Sequence, residues 1–131
     1  LYSRFEEIHG YTASSKALQL MAGLGFFEHQ SELLVSSFSG GWRMRLNLAR
    51  TLMSRSDLLL PDEPTNHLDL DAILWLEDWL KAYEGTLILI AHDRKFLDAI
   101  TDHILHIENQ ILTLYTGNYF TFETTRAERL A

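Results

Sequence analysis

The chain has 131 residues, with 18 acidic and 11 basic side chains, a formal net charge of -7 and no cysteine. Chains of about 100 to 150 residues form one domain with a real core, and the acidic balance excludes a generic nucleic-acid-coating surface, which needs clustered Lys and Arg. The absence of cysteine excludes a disulfide framework or a thiolate metal site and suits the cytosol.

Leu87 to Ala91, an apolar run as long as any in the chain, falls far short of the roughly 20 residues of a membrane span. A cytoplasmic segment with no direct membrane insertion is therefore expected. The first residue is Leu1 and no basic-plus-apolar leader follows it, so the expectation is a piece of a longer chain without targeting information of its own.

In chain order, Leu1 to Ile8 reads as a helix ending near Gly10, and Ser14 to Met21 as a second ending at Gly23-Leu24-Gly25. From Trp42, the residues Trp42, Leu46, Ala49 and Met53 recur on one helix face, while Arg43, Asn47 and Arg50 share another. Leu58 to Leu60 and Thr86 to Ala91 are apolar without alternation, the pattern of parallel strands covered on both faces. Between them Ile73, Leu76, Leu80 and Tyr83 form a helix stripe that Trp75 and Trp79 widen, with Gly85 placed to end it. His103 to Glu108 and Ile111 to Tyr115, joined across Asn109-Gln110, read as a hairpin, and Tyr119 onward as a helix leaving the domain.

A parallel βαβ unit brings the residues after each strand to one edge of the sheet. Those residues are Asp62-Glu63 and His92-Asp93, where open α/β sheets bind ligands. Upstream, Ser39-Gly40-Gly41 has the logic of an anion site. Ser39 is placed to cap the following helix, and two glycines let a ligand approach unpaired N-H groups at the positive end of the helix dipole.

Ser39-Gly40-Gly41-Trp42-Arg43 and Leu58-Leu59-Leu60-Pro61-Asp62-Glu63-Pro64-Thr65-Asn66-His67-Leu68-Asp69 together resemble the signature loop and the Walker B and D-loop of ATP-binding-cassette (ABC) ATPases. No G-x-x-x-x-G-K-[ST] phosphate loop occurs in the chain. Glu63 to Asp69 and His92-Asp93-Arg94-Lys95-Phe96-Leu97-Asp98 narrow the resemblance to the ABC-F family, of the bacterial ribosome-associated type. It implies an α/β fold, part of a P-loop ABC cassette with a helical layer, a parallel βαβ core, a C-terminal β-hairpin and an exit helix. The implied boundaries are a helical portion at 1–38, the signature helix and ATPase core at 39–117, and the start of an interdomain linker at 118–131.

The resemblance also implies roles. Asp62 is similar to the aspartate that supports Mg²⁺, mainly through water, and Glu63 to the catalytic carboxylate that polarises the attacking water. His92 resembles the switch histidine at the γ-phosphate, and Asp69 lies in the D-loop joining two ATP sites. Ser39, Gly40 and Gly41 are expected to grip the γ-phosphate of ATP held by a second ATPase domain of the same chain. The implied cofactors are ATP and Mg²⁺, and the implied further partner is the ribosome, through rRNA and tRNA. The alternatives are the ATPase subunit of a membrane transporter, or a non-catalytic, degenerate domain.

Pro61 departs from the aliphatic residue usual in that family. A proline removes a ladder donor, so either the strand frays early and displaces Asp62, or the change is tolerated at the strand's end. His103 and His106 are three apart, on opposite faces of a strand, and read as a solvated hairpin rather than a zinc pair. Ser39 with His92 and Asp62 lacks the G-x-S-x-G elbow of a hydrolase triad. Trp75 and Trp79 read as packing residues, and Arg126 and Arg129 as a solvated face or an RNA contact.

Overall fold

The computed structural model describes residues 10–54 and 56–130. The helix expected at Leu1 to Ile8 lies outside the described residues. Those described fall into two compact units, one of residues 10–57 with 65–79, the other of 58–64 with 80–130.

The first unit begins with α1, Gly10–Gly23, longer at both ends than the Ser14 to Met21 expected. Its stop is a Schellman arrangement. Phe26 N donates to Met21 O at 3.0 Å and Gly25 N to Ala22 O at 3.1 Å, and Gly25 takes φ +99°, which a side chain at that position would resist. Two short 3-10 turns, Glu28–Glu32 and Val35–Ser37, lead into α2, Gly40–Met53. The fully buried line of α2 is Arg45, Ala49 and Leu52, while Trp42, Leu46 and Met53 are half-buried. The expected face is thus rotated toward an arginine. Trp42 packs edge-on against Phe26, which in turn meets Phe38.

The helix α3 spans Leu70–Lys81, starting earlier than Ile73 because Asp69 caps it. Asp69 Oδ1 accepts from Ala72 N at 3.1 Å and the Asp69 carbonyl from Ile73 N at 3.0 Å. It ends before Tyr83, so Gly85 lies in the following connection and not at the helix stop. Ala72, Leu76 and Leu80 are its buried line. Trp75 and Trp79 are half-buried, and the Trp75 indole lies flat on Gly23, where an added Cβ would stand 2.0 Å from it. That close approach explains a glycine in the last turn of α1.

In the second unit, β1 (Leu58–Leu59) pairs in parallel with β2 (Thr86–Leu87). Both are shorter than expected, and the cause is Pro61. The ladder runs through Ile88 N to Leu59 O at 2.9 Å, Ile90 N to Pro61 O at 3.0 Å and Glu63 N to Ile90 O. The missing rung is the one from position 61 to Ile88 O, for which proline has no N-H. Pairing resumes at Asp62 opposite Ile90, so the strand is interrupted at one rung, and Asp62 and Glu63 stay in register. Leu59 is buried while Leu58, Leu60, Ile88 and Ile90 are exposed. Within this chain, then, the strands are covered on one face and not on both.

The seven-residue helix α4, Arg94–Ile100, was not foreseen in the sequence. Phe96 and Leu97 anchor it, both buried. The hairpin β3 (His103–Glu108) and β4 (Ile111–Thr116) has the expected register, with Glu108 opposite Ile111. Asn109 and Gln110 both take left-handed φ, 52° and 63°, the type I′ pattern that suits a twisted two-residue hairpin. Helix α5, Tyr119–Leu130, is capped by Asn118, whose Oδ1 accepts from Thr121 N at 3.0 Å. Phe122 is buried against Tyr115 and His106, at ring distances of 4.9 and 5.1 Å. No helix among the described residues is long and apolar enough to cross a membrane.

Candidate functional site

Glu63 and His92 emerge from the ends of the two parallel strands, as the topology requires. Glu63 takes φ 49°, a left-handed conformation that costs a non-glycine residue of order 1–3 kcal/mol and persists where the surroundings fix it. Here the bond from its N-H to Ile90 O holds the backbone. The consequence is geometric, because the turn sends the carboxylate toward His92, with Glu63 Oε1 3.2 Å from His92 Nε2. That oxygen is buried and makes no hydrogen bond, so the histidine is close but not aligned as a donor. His92 is otherwise almost wholly in solvent, its side chain 95% exposed, whereas that of Glu63 is 22% exposed.

A buried carboxylate oxygen without a hydrogen bond is rare and costly, and the hydrogen of a water would satisfy it. A water bound there would lie between a carboxylate and an imidazole that reaches into solvent. Asp62, one residue earlier, is exposed at the same strand end. A lone exposed carboxylate fits Mg²⁺, which is usually held by one or two carboxylates, several waters and substrate phosphates rather than by a protein cage. Among the described residues no group of three or more His, Asp or Glu is arranged to hold a metal by itself. Asp93 does not join Glu63. Its Oδ1 caps α4, accepting from Phe96 N at 3.2 Å.

The first unit gathers a second set of residues. Ser39 occupies the N-cap position of α2, but its side chain makes no capping bond, contrary to the expectation from sequence. Only its carbonyl joins the helix, accepting from Arg43 N at 2.9 Å. Entry into α2 is fixed instead by the Arg43 side chain, which donates to Ser36 O at 3.0 Å and Phe38 O at 3.1 Å. The Ser39 hydroxyl is thereby left out of the cap. Gly40 has nothing within 4 Å of where a Cβ would stand, and Gly41 has only His67, at 3.8 Å. The surroundings of Gly40 and Gly41 thus leave room for a side chain at either place.

Arg45 is the buried charged residue that sequence reasoning missed. It is 9% exposed and lies on α2. Its Nη1 donates to Leu24 O at 2.6 Å and its Nε to His67 O at 3.0 Å. The same guanidinium lies 3.8 Å from Asp69 Oδ1 and 4.4 Å from the centre of the Trp42 ring. One side chain thus ties the signature helix α2 to the turn Thr65 to Asp69, where His67 has φ 67°. The signal was the i, i+4, i+7 line Arg45, Ala49, Leu52, which placed a charge on the buried face.

The remaining candidates have ordinary surroundings. His103 Nδ1 meets Asp102 Oδ1 at 2.9 Å, and this bond holds the Asp102 carboxyl below its ordinary value. His106 packs against Phe122. Arg126 pairs with Glu108 at 3.1 Å, and Arg129 lies 5.0 Å over the Tyr115 ring, so both arginines are engaged within their own unit.

A family model described as ABC transporter matches residues 3–66. Probable ATP-binding protein YheS of Escherichia coli strain K12 is 61% identical over 131 residues, 100% of this chain and 21% of that protein. ABC transporter F family member 3 of Arabidopsis thaliana and ATP-binding cassette sub-family F member 3 of Homo sapiens are each 48% identical over 130 residues, 99% of this chain and 18% of theirs. The chain spans about a fifth of the length of these curated relatives.

The fold is similar to that of a solved SMC ATPase, with TM-score 0.58 and 13% identity over 99% of this chain and 97% of that one. It is also similar to the archaeal ribosome recycling factor aABCE1, with TM-score 0.57 and 22% identity over 86% of this chain and 27% of that one. At those identities the likeness concerns architecture alone. The chain carries part of an α/β ATP-binding cassette and is homologous along its whole length to the ABC-F family of ATP-binding-cassette proteins.

Proposed function

We propose that the full-length protein hydrolyses ATP at composite sites between two cassettes of one chain and uses the resulting closure to act on the ribosome. The observation that carries the hydrolytic reading is the buried, unbonded Oε1 of Glu63, 3.2 Å from His92 Nε2. Glu63 takes up a hydrogen bond from the attacking water and draws its proton, and His92 orients the γ-phosphate from the solvent side. Asp62 would hold Mg²⁺, a group that would supply charge neutralisation on the phosphates when bound. Ser39 and the amides of Gly40 and Gly41 reach the γ-phosphate of a nucleotide held by the partner cassette, with the α2 dipole adding to the attraction. Arg45 keeps that loop and the Asp69 turn in a fixed relation.

The ribosomal part of the proposal is supported by the F-family sequence of the two motifs, from Glu63 to Asp69 and from His92 to Asp98. Full-length protein carrying Glu63→Gln and loaded with ATP should remain closed and co-sediment with ribosomes. Where phosphate contacts dominate, that binding weakens steeply as salt is raised. A transporter subunit would instead fractionate with membranes. Recovery of the closed variant only in the membrane fraction, with no ribosome association at low salt, would overturn the ribosomal reading.

A further inference from the structure

The helix α5 carries two aromatic side chains, Tyr119 and Phe122, and two arginines, Arg126 and Arg129, that are engaged with its own unit, and its first turn is held by the short helix that follows His92. Arg94 Nη1 pairs with Glu123 Oε1 at 3.1 Å, and its guanidinium stands 5.7 Å from the centre of the Tyr119 ring. One turn later on α4, Asp98 Oδ1 accepts from Phe120 N at 3.1 Å. Residues at i and i+4 share one helix face, so α4 presents a cation and an anion together to the start of α5. Asp98 takes the amide end, where a carboxylate suits the dipole of α5, and Arg94 takes the Glu123 carboxylate.

The other end of this linkage is equally fixed. Asp93 caps α4 directly after His92, and the fully buried Phe96 prevents α4 from sliding. Further along α5, Phe122 is buried against Tyr115, and Arg126 pairs with Glu108. From His92 to Glu123 the path runs through Asp93, the N-cap of α4, and Arg94.

We propose that Arg94 is a positioning residue that clamps the His92 segment to α5, so that the placement of α5 and the placement of His92 at the nucleotide are set together. The partner of this device is the chain that continues from α5. Force or binding applied there moves Arg94 and Asp98, and through Asp93 moves His92. The proposal rests on the reading of His92 as a nucleotide-facing residue. An exposed ion pair contributes little to stability, and Arg94 is 72% exposed, so the clamp is expected to show in coupling rather than in melting temperature.

The test uses the full-length protein as wild type, Arg94→Ala, Glu123→Arg and the swapped pair Arg94→Glu with Glu123→Arg, beside Glu63→Gln in the same assay. Arg94→Ala should lower kcat for ATP by about 2- to 10-fold with KM within about 2-fold, because the histidine is misplaced while nucleotide contacts persist. The swapped pair should recover kcat to within about 2-fold of wild type, which a merely structural residue would not do. Amide exchange across residues 119–123 should slow on ATP binding in the wild type and lose that response in Arg94→Ala. A Glu63→Gln loss of turnover together with unchanged kcat and unchanged exchange response in Arg94→Ala would overturn the clamp alone. A swapped pair no better than either single variant would also overturn it. Full turnover in Glu63→Gln would overturn the site reading and the clamp with it.

Discussion

Replacing Pro61 with valine tests the account of the strand end. Position 61 is buried, and the rung it fails to make, an N-H donated to Ile88 O, lies between two rungs that are formed, at 2.9 and 3.0 Å. The backbone on both sides is therefore already in ladder geometry. The new rung contributes about 0.5–1.5 kcal/mol, while loss of the proline ring frees the unfolded chain by about 0.4–1 kcal/mol. The expected net change is between about -0.5 and +1 kcal/mol, too small for a melting curve to interpret alone. Amide exchange is the decisive assay in the full-length protein. The amide introduced at position 61 should be protected to the level of its neighbours Ile88 and Ile90, and turnover should change less than about 3-fold because Asp62 and Glu63 are already in register. A freely exchanging amide there would refute the interrupted-ladder account. A rise in turnover of ten-fold or more would show that Pro61 displaces the carboxylates after all.

Arg45→Met should destabilise the full-length protein by about 2–4 kcal/mol in urea unfolding, since it removes charge-assisted bonds to Leu24 O and His67 O from a buried site; a loss below about 0.5 kcal/mol would contradict its tying role. The 131-residue chain alone should show no ATP-dependent thermal shift, because no phosphate loop is encoded in it, and micromolar affinity by calorimetry would contradict this. Asp102 should titrate below its ordinary value of 3.8 because of the bond from His103, and NMR titration of His103→Gln should show the midpoint rising toward that value. The sign follows from the depressed carboxyl: its small contribution to stability is present above the ordinary carboxylate range and is lost as pH falls through the lowered midpoint.

The hairpin and α5 were legible because alternation, a two-residue turn and an asparagine before a helix are local signals. Helix α3 was legible as an apolar stripe, yet its true start lay in Asp69, a capping residue that the sequence reading had assigned only to the D-loop. Helix α4 was missed because seven residues give less than two full turns of periodicity, although Asp93 three positions before Phe96 is a capping signal. Asp62, Glu63 and His92 could be placed at one sheet edge from topology alone. The left-handed turn at Glu63 and its unbonded oxygen could not, since both depend on the backbone bond to Ile90. Arg45 was hidden for a similar reason. Its acceptors, Leu24 and His67, lie 21 and 22 residues away on either side, and no local pattern reports a carbonyl at that range.

The most direct test of the central claim is turnover of the full-length protein carrying Glu63→Gln, measured with ATP affinity in the same preparation. The amide keeps the shape of the side chain but loses its basicity. Turnover should therefore fall by about 10²- to 10⁴-fold while ATP affinity stays within a few-fold of wild type. Unchanged turnover would contradict the assignment of Glu63 as the base at the strand end.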